Sequence, residues 1–574
     1  MAPDLTLDRP RTVREVVAAG GAIPALGDVL DLDRLTARLV AATGSPGTLS
    51  RPYLRYKPGT SVVLSCRWTA AGADRDLLVR AYAAGSRGKL DKGLDPGHEF
   101  TPTNNMLVQA MYDTLVTFEP GKTDPKPSLA ESWKGTDDAK SYTFTLRDGV
   151  TFSDGTPLTS ADVVFSLNRL KNLQGSGAFL LDGVTVTAPD AKTVVVKSKT
   201  PNPALLRILA TPPTSILNAK VLKAHGGTDA ADAAKTDKAE AYLQTASAGS
   251  GAYTLSAGQQ NQQYTLDVNP KYWGDAPGFG KVVVRNMPAP TQLLNVQRGS
   301  NEIAIDLSAQ QADTLKNNDK LQVTTNASVN VFDVEANMDP KVSPTGNADL
   351  REAIRLALDY DGYVQLSGSG AAQAPGVIPS QFLGALPAAD AVKQDVEKAK
   401  QLVASSGISN PKIKLAYPSD ATPNGVSFSS IAQKVKSDLD KVGIDVELDG
   451  SPAVTFLKDY AAGKNQMSVS YWGPDYPDPN DYLVYAPGHT GRALNNKWTK
   501  DDAPQIAALA DEAGSTLDDS KRGELFQELQ RKFNESGPYY PLFQPAQAIV
   551  GSADLSNVVL DPTYTLNIPA VGRG

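Results

Sequence analysis

From about residue 94 onward, the apolar positions of this 574-residue chain follow two rhythms, one of period two and one near 3.6. Ser141-Tyr-Thr-Phe-Thr-Leu-Arg147 alternates and predicts a half-buried strand. Asp148-Gly149 is a turn signal, after which Val150 to Phe152 is expected to return as the second strand of a hairpin. Asn104 to Tyr112 reads as a helix and Asp113 to Phe118 as a strand. Thr159-Ser-Ala-Asp162 has the form of a capping box, with Asp in place of Glu, opening a helix through Val163, Leu167 and Leu170. The helix from Val392 to Val403 turns Val396, Ala399 and Val403 inward and stops at Gly407. Ile413 to Ala416 is a strand, and Phe428, Ile431, Val435, Leu439 and Val442 then mark one helical face. Gly443 ends that helix, and Ile444-Asp-Val-Glu-Leu448 alternates as the next strand. Strand, helix and strand in this order predict parallel pairing in an α/β sheet covered by helices. No repeat of fixed period is present.

The first 90 residues differ in character. Val29, Leu32, Leu35, Leu39 and Val40 recur at helical spacing before Gly44 and Pro46. Three strands are expected at Pro52 to Tyr56, Ser61 to Trp68 and Asp76 to Tyr82, parted by Pro58-Gly59 and Ala70 to Ala73. The opening residues, MAPDLTLDRPRTVREV, lack the basic region and apolar core of a signal peptide. Ser61 to Cys66 is too short an apolar run for a lipoprotein cleavage box and reads as a strand.

A chain of this length exceeds one compact core, so two or more lobes are expected. Its net charge of -7 argues against a nucleic-acid partner, which would call for a basic stripe. Cys66 is the sole cysteine, and His98, His225 and His489 are the only histidines. An internal disulfide and a Cys-based or His-rich metal site are thereby excluded. No apolar run approaches the roughly 18–20 residues that cross a bilayer.

Enzyme motifs fail on inspection. Gly121-Lys122-Thr123 resembles the end of a phosphate loop, but residue 116 is Val where Gly is needed, and Asp124-Pro125 cannot open the following helix. Ser367-Gly-Ser-Gly370 lacks a Gly two residues before either serine, so it is a turn rather than a nucleophile elbow. The informative stretch is Tyr471-Trp-Gly-Pro-Asp-Tyr-Pro-Asp-Pro-Asn-Asp-Tyr482. Prolines 474, 477 and 479 bar an α-helix and stiffen the loop. Aromatic rings beside fixed carboxylates suit a ligand with a cationic end and apolar parts, while a structural Pro/Tyr corner would use the same residues.

These residues have company. Pro127 to Trp133 and Tyr142 to Phe165 resemble the signature of the family 5 solute-binding proteins of peptide/nickel-type ABC importers. In the family's order follow Gly249 to Tyr253, Asn269-Pro-Lys-Tyr-Trp-Gly274, Asn301-Glu-Ile-Ala-Ile-Asp306, Leu350 to Asp359 and Gly537-Pro-Tyr-Tyr-Pro-Leu542. The resemblance covers about five-sixths of the chain. It implies an α/β, bilobal periplasmic-binding-protein-like fold of class II, the large peptide-binding type, with a small α+β appendage at the N-terminus. The appendage would span 1–92, the first lobe 93–335, the second 336–534, and 535–574 would return to the first. The implied function is capture of oligopeptides by hinge closure and delivery to the permease subunits of an ABC transporter, outside the cytoplasm, by a monomer. In peptide-binding members an Asp in a Trp-x-x-Asp-Tyr loop holds the α-ammonium, here Trp472-Gly-Pro-Asp475-Tyr476. Asp475, Trp472, Tyr476, Tyr471 and Tyr482 are accordingly the expected ligand-binding residues. No catalytic residue, cofactor or metal is expected.

Two departures bear on this reading. The region before Leu94-Asp-Pro96 carries Tyr53-Leu-Arg-Tyr-Lys-Pro-Gly-Thr60, which resembles the N-lobe of aminoglycoside-phosphotransferase-like kinases. No His-x-Asp or Asp-rich metal motif follows in the order a kinase needs, so an appendage without activity is expected. Asp76 to Tyr82 either substitutes for the first lobe's usual opening strand or leaves that lobe without one, and the lack of a signal peptide leaves export open. An oligosaccharide or a metal chelate is the alternative ligand, and a kinase-like regulator with a ligand-sensing lobe the alternative class.

Overall fold

The computed structural model describes Thr36, the backbones of the strands Gly47–Lys57, Ser61–Ala70 and Ala73–Tyr82, and residues 93–574 apart from 99–100, 260–261 and 300. The helix expected across residues 29–40 lies outside the described residues, Thr36 excepted. The chain divides into two units, Met1–Lys92 and Gly93–Gly574. In the first, the three strands form an antiparallel meander in chain order, with Leu54 opposite Leu64 and Leu64 opposite Val79. All three fall where the sequence puts strands, and each runs longer than expected.

The second unit opens with a four-stranded antiparallel sheet in the spatial order Ala130–Gly135, Ser141–Leu146, Thr193–Ser198, Val184–Thr187. The strand at 141–146 alternates buried Tyr142, Phe144 and Leu146 with outward polar residues, as its sequence requires. Helix Ser160–Leu173 lays Val163, Leu167 and Leu170 on this sheet. At its start the Asp162 carboxylate accepts from the Thr159 N–H at 3.0 Å and the Thr159 hydroxyl at 2.9 Å.

The hairpin expected at Val150 to Phe152 does not form. Both edges of 141–146 are already taken, by 130–135 and 193–198, so the returning chain has no free edge to pair with and makes only an isolated bridge, Thr151 to Pro157. The strand expected over 113–118 shrinks to Val116–Thr117. Gly249 and Gly251 allow the next segment to press onto the backbone of the helix Pro102–Met111. A Cβ on Gly249 would stand 2.2 Å from the Met111 carbonyl oxygen, and one on Gly251 2.5 Å from its carbonyl carbon.

The strand–helix–strand unit forms as the sequence predicts. Lys412–Pro418 pairs in parallel with Asp445–Ser451, joined by helix Phe428–Asp440, whose Ile431, Val435 and Leu439 are buried. Gly443 adopts φ +85° and lets the Ile444 N–H donate to the Leu439 carbonyl at 3.1 Å, closing the helix. These strands belong to a six-stranded sheet in the order Ala372–Gln373, Tyr539–Gln544, Val331–Ala336, Met467–Trp472, Lys412–Pro418, Asp445–Ser451.

Val331–Ala336 and Tyr539–Gln544 thus sit inside the second sheet. Just before and just after them, Leu321–Ala327 pairs with Ala546–Ser552 in a different sheet, with Ile303–Ala304. Of the expected lobe limits, 335/336 falls at the last residue of the strand Val331–Ala336 and 534/535 within the helix Asp519–Ser536 that leads into Tyr539–Gln544. The chain passes between the sheets at 328–330 and at Pro545, side by side, tied by the Ser328 N–H donating to the Pro545 carbonyl at 2.8 Å.

Candidate functional site

The strand Met467–Trp472 runs beside Val331–Ala336 with Trp472 opposite Val331, so it delivers its C-terminal end to the paired crossings. Gly473 lies against Asn330 of one crossing. Prolines then hold the loop, and Pro479 takes the first position of the 3-10 helix Pro479–Tyr485, where a missing N–H costs nothing. Asp478 caps that turn, accepting from the Asn480 N–H at 2.9 Å.

The structure divides the five expected ligand residues among three surroundings. Trp472 and Tyr482 meet edge to face at 5.0 Å, within an aromatic cluster that includes Tyr485 and Phe382. Tyr471, one residue from Trp472 on a strand, points to the opposite face of the sheet. Its ring packs on Phe332 at 4.7 Å and its hydroxyl donates to Asn424. Tyr476 packs against Leu180, Ala204 and Ile208, residues of the first lobe. Asp475, half-buried beside it, has no cationic partner among the described residues, and burial pushes its carboxyl up to about 6.

The neighbouring acids behave differently. Asp478 is fully buried and held by Arg522 of helix Asp519–Ser536 at 3.2 and 2.9 Å. Arg207, from the first lobe's helix Leu205–Ile208, reaches the same carboxylate at 3.2 Å and Asp519 at 3.4 Å. Asp481, 4% exposed, accepts from the Asp475 N–H at 2.7 Å. Burial, then the adjacent Asp475 charge, raises its carboxyl well above the usual range. The Tyr482 hydroxyl is buried without a hydrogen-bond partner.

Behind the loop, Arg492 stacks over the rings of Tyr485 at 5.0 Å and Trp472 at 5.5 Å. Its guanidinium meets the buried carboxylate of Glu335 and donates to Ser470 at 2.7 Å. Asp333, 3.7 Å from Arg492, is pushed up to about 6 by burial. The motif Tyr471–Tyr482 made the acids visible. It could not reveal Arg207, Arg492 and Arg522, whose roles depend on distant segments converging.

Two α/β lobes joined by paired crossing strands, with an acid-and-aromatic loop at their junction, define a bilobal solute-binding protein. The chain belongs to the bacterial extracellular solute-binding proteins, family 5, whose middle-region model matches residues 124–493. This is a family of binding proteins of transport systems, not of enzymes. The chain is 30% identical over 500 residues to "Probable D,D-dipeptide-binding periplasmic protein DdpA" of Escherichia coli (strain K12), covering 86% of this chain and 93% of that protein. It is 25% identical to "Di/tripeptide-binding protein 2" of Pseudomonas aeruginosa (strain UCBPP-PA14), over 82% of this chain and 91% of that protein. Among solved structures, HbpA2 from Haemophilus parasuis superposes with a TM-score of 0.73 at 20% identity, over 84% of this chain and 97% of that one. The periplasmic binding protein DppA from Helicobacter pylori, in complex with peptide STSA, gives 0.67 at 22% identity, over 84% and 95%. The likeness of residues 53–60 to a kinase N-lobe gains no support from these comparisons.

Proposed function

We propose that this chain captures short peptides outside the cytoplasm and hands them to the permease subunits of an ABC importer, acting as a monomer. The lobes 93–327 with 546–574, and 331–544, close over the ligand by bending at 328–330 and Pro545. Asp475 meets the peptide's α-ammonium, and Trp472, Tyr476 and Tyr482 shape the apolar surroundings. Tyr471 supports the strand from its other face. The observation that carries this reading is the unpaired, half-buried Asp475 carboxylate in a loop packed against the opposite lobe.

An enclosed ammonium needs a carboxylate, because a buried unpaired charge is costly. The peptide names of the relatives point to the same ligand class. Thermal-shift screening with di- to pentapeptides, their N-acetylated forms, oligosaccharides and nickel chelates tests the reading directly. Free-amine peptides are expected to raise the melting temperature and acetylated ones to fail. Asp475→Ala is expected to weaken peptide binding by about 2–5 kcal/mol. Equal affinity for free and acetylated peptides would exclude the ammonium role.

A further inference from the structure

The first lobe has two hydrophobic cores, and a polar recess of about 30 Å³ lies where they meet. At roughly 10–15 Å³ for each water, it has room for two or three guests of that size. One core gathers around the helix Pro102–Met111 and Tyr112, the other around Leu115, Val116 and the four-stranded sheet. Asp113, between them in the chain, lines the recess with Gln109, Thr117, Ser128, Ser215 and Tyr564. The second lobe contributes no lining residue, so the recess is separate from the loop at 471–482.

The partly buried Asp113 carboxylate is bound on one oxygen only. Ser250 Oγ and Trp273 Nε1 both donate to Oδ2, at 2.8 and 2.9 Å, and Oδ1 has no partner among the described residues. The Asp113 carbonyl accepts from the Ile216 N–H at 2.9 Å, which fixes the backbone beneath it. Gln109 donates through Nε2 to Asn567 at 3.3 Å, while its Oε1 is buried without a hydrogen-bond partner. The Ser215 hydroxyl spends its proton on the Pro212 carbonyl at 2.6 Å, so its oxygen can only accept. Arg147 lies over the Trp273 ring at 5.2 Å and donates to the Ser128 carbonyl at 3.3 Å. No cation pairs with Asp113 among the described residues.

We propose that this recess binds one small monovalent cation, an alkali or ammonium ion, held by Asp113 Oδ1 and Gln109 Oε1 and joining the two cores of the first lobe. The surplus of acceptors defines the guest. Carboxylate and amide oxygens only accept, so the guest must bring positive charge or protons to them. A water brings two protons and leaves the carboxylate charge uncompensated. Oxygen ligands suit hard cations. A single carboxylate balances a single positive charge, whereas calcium sites gain affinity from several. No cluster of three or more His, Cys, Asp or Glu that could hold a metal occurs among the described residues, which points away from divalent and transition metals.

Thermal scans of the full chain at neutral pH and equal ionic strength test this, in sodium, potassium, ammonium and choline chloride. At least one of the three small cations is expected to raise the melting temperature saturably, by about 2–4 °C over choline, which is too large for the recess. The cation with the strongest effect identifies the occupant. Asp113→Asn keeps an oxygen for Ser250 and Trp273 and should abolish the rise. Asp475→Asn, which removes the unpaired acid of the interlobe loop, should leave it intact. Equal melting temperatures in all four salts, a rise that survives Asp113→Asn, or one lost with Asp475→Asn would overturn the site. Should Asp113→Asn fail to fold, anomalous diffraction from crystals of the unaltered chain grown with thallous acetate decides. A thallium peak in contact with Asp113 Oδ1 and Gln109 Oε1 is expected, and density no stronger than water there would refute the proposal.

Discussion

Removing Arg207 tests lobe closure without touching the ligand acid. The side chain reaches from the first lobe to Asp478 at 3.2 Å and Asp519 at 3.4 Å, with Asp124 at 3.8 Å. Asp478 keeps both bonds from Arg522 when Arg207 is lost, so no orphaned buried charge results. A pair at 3.2 Å has a gross attraction of about 5 kcal/mol at an effective dielectric near 20. Much of that is offset by desolvating Arg207, and the Asp478 charge is already shared with Arg522. A net of about 1–2 kcal/mol remains, and it exists only while the lobes touch. Arg207→Ala should therefore weaken peptide affinity about 5–30-fold by lowering the closed population, mainly through faster dissociation. Stopped-flow release and energy transfer between dyes on the two lobes would read it, and urea unfolding should move by less than about 1 kcal/mol. Unchanged dissociation with an unchanged dye distance would refute the reasoning.

Three further outcomes are expected. Asp475→Asn should raise the melting temperature of the unliganded protein while abolishing peptide binding, since it removes an uncompensated charge; a lower melting temperature in calorimetric scans would count against the unpaired state. Arg169 is 1% exposed and binds Asp95 at 2.7 Å and Asp237 at 2.8 Å. Arg169→Met would strand two buried carboxylates and should cost at least about 3–5 kcal/mol in urea unfolding; a cost below about 1 kcal/mol would show those acids to be neutral. Asp333, Asp475 and Asp561 are each raised to about 6 by burial. The folded protein thus holds protons that the unfolded chain releases near pH 3.8, and the stability these groups contribute is full below that pH and lost as pH rises through about 6. Urea midpoints should fall from pH 4.5 to 7, and a rise across that window would contradict the burial of these acids. Asp95 and Asp359, lowered by their partners, act only at more acidic pH.

Local sequence determined those features that depend on neighbours along the chain. The alternation at 141–146, the capping pair Thr159 and Asp162, and the helical face from Phe428 to Leu439 ending at Gly443 all depend on contacts within a few residues, and all formed as read. Ordered motifs likewise announced the family and the acid-rich loop. What only the tertiary structure decided is where partners come from. Residues 150–152 lost their strand because two distant segments had already occupied the sheet's edges. The places where the chain changes sheet, 328–330 and Pro545, depend on pairing between residues about 200 positions apart. Tyr471 and Trp472 look alike in sequence, yet strand geometry sends them to opposite faces. Above all, Asp475, Asp478 and Asp481 are three similar acids in one short loop. Of these three, Arg207 and Arg522, remote in sequence, pair with Asp478 alone, and that long-range choice leaves Asp475 without a cationic partner among the described residues.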